Sequence, residues 1–105
     1  MVFVELPLFS RYLAFSDEEL QSIQGLILDA PLRGDLIPGG GGLRKLRVPL
    51  PGRGKRGGGR VIYYLWTARD CCYLVFACAK NVQGDLTPAQ LKQLAKVVEE
   101  ELEDG

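Results

Sequence analysis

Two β-prone runs near the middle of the chain restrict what it can fold into. The run over 60–67 carries Val61, Ile62, Tyr63, Tyr64 and Trp66, residue types that suit a pleated, packed surface. The run over 72–79 is nearly all apolar, which predicts a central strand buried on both faces. Ala68-Arg69-Asp70 between them predicts a tight turn. A third strand is expected over 43–48, where Lys45 and Arg47 fall on one face and Leu46 and Val48 on the other.

Helical signals flank this β-rich centre. Val2-Phe3-Val4-Glu5, closed by Pro7, reads as an edge strand. The spacing of Leu8, Phe9, Tyr12 and Leu13 predicts a short helix over 8–14. Ser16-Asp17-Glu18-Glu19 is a capping-box pattern ahead of an apolar stripe of Leu20, Ile23 and Ile27, ended by Ala30-Pro31. Pro38 and four consecutive glycines make 35–42 a loop. A second capping box, Thr87-Pro88-Ala89-Gln90, opens a helix with Leu91, Leu94, Val98 and Leu102 along one side. The expected order is β-α-α-β-β-β-α. That is an α+β fold: a small, mainly antiparallel sheet packed against two N-terminal helices and a C-terminal helix.

A chain of 105 residues favours one domain, spanning 1–105, with enough material for one core. No apolar run reaches the ~20 residues a membrane helix needs, and no secretory signal is visible. Cys71, Cys72 and Cys78 are odd in number and crowded into one strand, so they predict reduced thiols in a cytoplasmic protein. With no histidine and no CxxC, neither a metal site nor a cofactor is expected.

Net charge is zero, but it is unevenly spread. Between positions 36 and 69 lie Arg44, Lys45, Arg47, Arg53, Lys55, Arg56, Arg60 and Arg69, with no Asp or Glu among them. Glu99, Glu100, Glu101, Glu103 and Asp104 crowd the other end of the molecule. Such asymmetry predicts a polyanion site in the basic middle. Glycines between the cations of Pro51-Gly52-Arg53-Gly54-Lys55-Arg56-Gly57 let a phosphate approach backbone N–H groups as well as side chains. Arginine adds a planar fork for phosphate oxygens. The pattern is not a P-loop, since Lys55 is followed by Arg56. If the strands are neighbours, Lys45, Arg47, Arg60 and Lys80 converge on one rim of the sheet. Tyr64 shares the face of Arg60 and is placed to stack on a base, although packing in the core is its commoner fate.

Cations alone can stabilise the extra charge that forms on phosphorus when an RNA 2′-hydroxyl attacks its own phosphate. The reaction also needs a base and an acid. A lysine crowded by arginines is one route to the base, whereas arginine stays protonated and cannot fill that role.

Several motifs occur in order along nearly the whole chain. They are Phe3-Val4-Glu5; Asp35, Ile37 and Pro38; Gly41-Gly42-Leu43-Arg44-Lys45; Gly52-Arg53-Gly54-Lys55-Arg56-Gly57-Gly58; and Arg60-Val61-Ile62-Tyr63-Tyr64. Lys80-Asn81 and Asp85-Leu86-Thr87-Pro88-Ala89-Gln90-Leu91 complete the set. Together they resemble the RelE/HigB superfamily of bacterial toxins from type II toxin–antitoxin modules, in particular its HigB-like branch. The resemblance implies a RelE-like fold and a ribosome-dependent mRNA endoribonuclease, or mRNA interferase, that acts in the ribosomal A site and inhibits translation. There rRNA surrounds the toxin and helps position the message. The partner implied is a cognate helix-turn-helix antitoxin, HigA-like, with operator DNA contacted only through it.

Carried onto this chain, the resemblance puts Lys45, Arg47, Lys55, Arg60 and Lys80 at the catalytic positions. Lys45 or Lys55 would be the base, Arg60 the phosphate clamp and Lys80 a further charge stabiliser. Arg44, Arg53, Arg56, Tyr64 and Asn81 would bind RNA. The chain departs from the pattern in two places: Cys78 stands where related sequences tend to carry an aromatic, and 86–105 contains no tyrosine. Two other functions fit the same residues. One is a non-catalytic RNA- or ribosome-binding module that blocks translation by occupancy. The other is a protein-interaction domain whose basic face binds an acidic partner.

Overall fold

The computed structural model describes residues 1–50, 58–79 and 86–104. Its centre is a five-stranded sheet built from β1 (Val2–Glu5), β2 (Asp35–Leu36), β3 (Arg44–Val48), β4 (Gly59–Trp66) and β5 (Cys71–Ala79). The spatial order is β1-β5-β4-β3-β2. β1 runs parallel to β5 and every other pairing is antiparallel, so the sheet is mixed. Helix α1 (Asp17–Asp29) and helix α2 (Pro88–Asp104) are the two α-helices among the described residues.

Both helices begin as their sequences dictate. The Glu19 N–H donates to Ser16 Oγ (3.1 Å) and the Ser16 N–H donates back to Glu19 Oε1 (2.9 Å). At α2 the Gln90 N–H donates to Thr87 Oγ1 (3.2 Å) and the Thr87 N–H to Gln90 Oε1 (3.0 Å). Each box satisfies backbone donors that the first helical turn leaves without partners.

The helix expected over 8–14 does not form. Leu6 to Leu13 is a chain of turns in which the Phe9 N–H donates to the Leu6 carbonyl and the Arg11 N–H to the Leu8 carbonyl. The segment sends Phe9 and Leu13 into one core cluster and Leu6 and Leu8 into another. A single helical stripe cannot serve both sides, and so short a helix gains little from propagation. The expected order β-α-α-β-β-β-α is therefore corrected to β-α-β-β-β-β-α. The extra strand is β2, in which Asp35 pairs with Lys45 and Leu36 with Arg44, so the loop begins at Ile37 rather than Asp35.

The sheet divides two cores. On one face Leu46, Val48, Val61, Tyr63, Cys72, Leu74 and Ala77 pack with Ile23 and Ile27 of α1. On the other, Leu43, Ile62, Tyr73, Phe76 and Cys78 pack with Leu91, Leu94 and Val98 of α2.

The pairing of β4 with β5 has a break in register. Ile62 pairs with Phe76 but Tyr63 pairs with Leu74, which leaves Val75 as an extra residue. Before this bulge, odd-numbered Tyr73 and Val75 join the α2-side core; after it, Phe76 and Cys78 do. β4 has no such break, so Arg60, Ile62 and Tyr64 keep one face throughout. The bulge thus brings Cys78 onto the face that carries Arg60.

Candidate phosphate-binding face

Strand alternation and register together assemble the cations. Lys45 and Arg47 point away from Leu46 and Val48, which are buried on the α1 side. Arg47 pairs directly with Arg60, and Arg60 pairs with Cys78. Two residues along, Lys45 pairs with Ile62 and Ile62 with Phe76. Lys45, Arg47 and Arg60 therefore share the α2 side of the sheet, with Cys78 and Phe76 as their floor. Lys45 and Arg47 are exposed and Arg60 is half-buried.

Arg60 Nη1 donates to the Gly59 carbonyl (3.3 Å), and the Cys78 thiol is its cross-strand neighbour. Burial pushes that thiol above its ordinary value, while the positive charges of Arg60 and then Lys45 pull it back. Cys78 is 8% exposed, so it lies beneath the cations rather than beside them.

Positions 36–69 contain no carboxylate, but Asp35 of β2 pairs directly with Lys45 and places a carboxylate beside it at the edge of this face. Arg47 has no ion pair or hydrogen bond among the described residues. Directly opposed like charges on a sheet are unfavourable. Arg47 and Arg60 are such a pair.

Arg44 sits apart from this group. It projects to the opposite face, where its Nη1 donates to the carbonyls of Gly34 (2.7 Å) and Leu32 (3.3 Å). There it joins Tyr63, whose Oη accepts from the Gly34 N–H (2.9 Å) and donates to the Pro31 carbonyl (2.8 Å). These bonds tie the segment after α1 to the sheet. Arg44, expected to bind RNA, is held here as a structural residue.

Tyr64 is on the cationic face but beyond Ile62, half-buried under the glycine loop. Gly42 adopts φ +103°, and a β-carbon there would lie 2.9 Å from Tyr64 Cε2. Glycine is required at that point for both reasons. The Tyr64 ring also lines a small cleft with Leu43, Ala95 and Val98, which makes it a packing residue first. Arg53, Lys55, Arg56, Lys80 and Asn81 lie outside the described residues.

A further cationic and aromatic pair, not picked out in the sequence, borders the face. The Tyr12 ring lies 5.5 Å from that of Phe76, and Arg11 sits 5.7 Å from the Tyr12 ring centre. Tyr12 is 48% exposed. Helical spacing counted Tyr12 as part of a stripe, and only the turns over 7–13 bring it beside Phe76.

Residues 8–103 match the family model described as the RelE toxin of the RelE/RelB toxin–antitoxin system. The chain belongs to the RelE toxin family. This agrees with the resemblance carried by the GLRK, GKRGG and RVIYY motifs, and the α+β sheet with two helices is compatible with a RelE-like fold. A RelE toxin is one half of a toxin–antitoxin system, so the family implies an antitoxin partner. Among the described residues no helix is long and apolar enough to cross a membrane.

Proposed function

We propose that this RelE-family protein is a cytoplasmic, ribosome-dependent mRNA endoribonuclease of the HigB-like branch, neutralised by a helix-turn-helix antitoxin. The pairing of Arg47 with Arg60 carries the proposal. Two guanidinium groups opposed in register, with Lys45 two pairs away on the same face, suit a phosphate whose negative charge grows during reaction. Arg60 is the clamp on the phosphate. Lys45 is the base among the described residues, taking the proton of the 2′-hydroxyl as its oxygen bonds to phosphorus. The bond from phosphorus to the 5′-oxygen breaks, and that oxygen takes up a proton from water. Lys55 serves as the other base candidate, and Lys80 as the further charge stabiliser. Arg53, Arg56 and Asn81 contribute RNA contacts. The ribosome supplies the geometry that holds the message in line.

A second function, translation block by occupancy without cleavage, is favoured by the absence of histidine from the chain. Purified protein incubated with ribosomes carrying a defined message separates the two. Cleavage that needs the ribosome and disappears in Arg60→Ala supports the nuclease. Tight ribosome binding with an intact message supports occupancy.

A further inference from the structure

Beside the cationic row, a cleft of about 250 Å³ opens between the turns at Arg11-Tyr12 and the first half of α2. Its floor is Phe76 and Leu94, Tyr12 and Arg11 form one wall, and Gln90 and Gln93 of α2 line the other side. We infer that this cleft is a nucleobase slot, which receives a base of the same RNA strand whose phosphate Arg47 and Arg60 hold. The inference rests on the phosphate-binding role proposed above and adds a base-recognition site to it.

Position is the first support. Phe76 and Cys78 are successive residues on one face of β5, about 7 Å apart along the strand, and Cys78 is the cross-strand partner of Arg60. A nucleotide with its phosphate at Arg60 therefore has the cleft immediately beside it. The lining is the second support. Unpaired bases are recognised by stacking on aromatic rings or guanidinium planes and by hydrogen bonds to their edges. Tyr12 presents an exposed ring already flanked by Arg11. The Gln93 side chain is exposed and has no hydrogen-bond partner among the described residues, so its amide can both donate to and accept from a base edge. Charge is the third support, since the described residues lining the cleft include the cation Arg11 and no carboxylate, which suits an anionic strand.

The test uses the full chain and a short single-stranded RNA with 2′-O-methyl groups, which cannot be cut, beside an abasic strand of equal length. NMR at low salt should show the Tyr12 ring and Gln93 side-chain amide signals moving with the base-bearing strand and not with the abasic one. Tyr12→Ala should weaken binding of the base-bearing strand by about tenfold and leave the abasic strand unaffected. Tyr12→Phe should keep near-parent affinity. Gln93→Ala, on the exposed side of α2, is the second variant, chosen to leave folding undisturbed, and should lose affinity for the base-bearing strand alone.

If both strands bind the parent protein but neither Tyr12→Ala nor Gln93→Ala has any effect, the slot is wrong and the phosphate face stands. If neither strand binds, or Arg47→Ala and Arg60→Ala change nothing, the phosphate face is wrong and the slot falls with it. Loss of antitoxin binding in Tyr12→Ala with unchanged RNA affinity would give the cleft to the antitoxin and overturn the inference. Ribosome cleavage profiles identify the source of the base. A changed codon preference in Tyr12→Ala places a message base in the slot, and a uniform drop at every codon places a ribosomal one there.

Discussion

Arg47 and Arg60 face each other across β3 and β4, in register and on the same side of the sheet. Like charges so placed repel, and the phosphate proposed for them would relieve that repulsion. Arg47→Gln should therefore stabilise the free protein by about 0.5 kcal/mol while weakening its binding to RNA. Urea unfolding beside an RNA-binding titration checks both signs. Lower stability with unchanged affinity would deny the pair this role.

Salt dependence counts the phosphates held. Single-stranded RNA loses affinity with a log–log slope of about −0.7 for each phosphate neutralised. Removing Lys45 or Arg47 should flatten the slope of the parent protein by about that amount each. Titrations at several potassium chloride concentrations measure it.

Arg44 predicts the opposite behaviour, because its guanidinium is engaged with the carbonyls of Gly34 and Leu32. Arg44→Ala should cost about 1 kcal/mol of stability and leave the salt slope unaltered. Tyr63→Phe, which strips the hydroxyl from the Gly34 N–H and the Pro31 carbonyl, should cost about 2 kcal/mol. Denaturation of each variant, with RNA titration as the control, distinguishes these structural residues from the binding ones.

Alkaline stability follows from the buried thiol of Cys72. Burial, and secondarily the neighbouring Cys71, pushes it from 9.0 up to about 12. Below pH 9 the folded and unfolded chains both hold the proton. Above it the unfolded chain releases the proton and the folded chain keeps it, so stability falls with rising pH until about 12. Burial of Tyr63 acts in the same direction at higher pH. Cys72→Ala should remove the part of the fall that begins near pH 9. Urea midpoints from pH 8 to pH 11, under reducing conditions, check this.

The alternation of Lys45 and Arg47 with Leu46 and Val48 was legible because one face of β3 is charged and the other buried. Arg60, Ile62 and Tyr64 were legible on one face for the same kind of reason: β4 alternates without a break. β5 offered no such guide. Its uniformly apolar run hides a bulge at Val75, since every residue suits either face, and only the pairing with β4 shows where the faces exchange. The spacing of Leu8, Phe9, Tyr12 and Leu13 predicts a helix over 8–14, but the chain turns there because Phe9 and Leu13 serve one core while Leu6 and Leu8 serve the other. The place of Arg11 and Tyr12 beside Phe76 joins residues more than sixty positions apart, which no local pattern encodes. Arg44 illustrates the limit of charge counting, because a cation within a basic motif was already on the wrong strand face to join Lys45 and Arg47.

Mapping of message 5′ ends in cells that express the parent protein or Arg60→Ala tests the central claim most directly. The parent should produce new ends phased with codons inside translated reading frames, and Arg60→Ala, folded to the same extent by its unfolding curve, should produce none and restore growth. Arrested growth with no new ends, or the same ends persisting in folded Arg60→Ala, would contradict a ribosome-dependent nuclease built on the Arg47–Arg60 face.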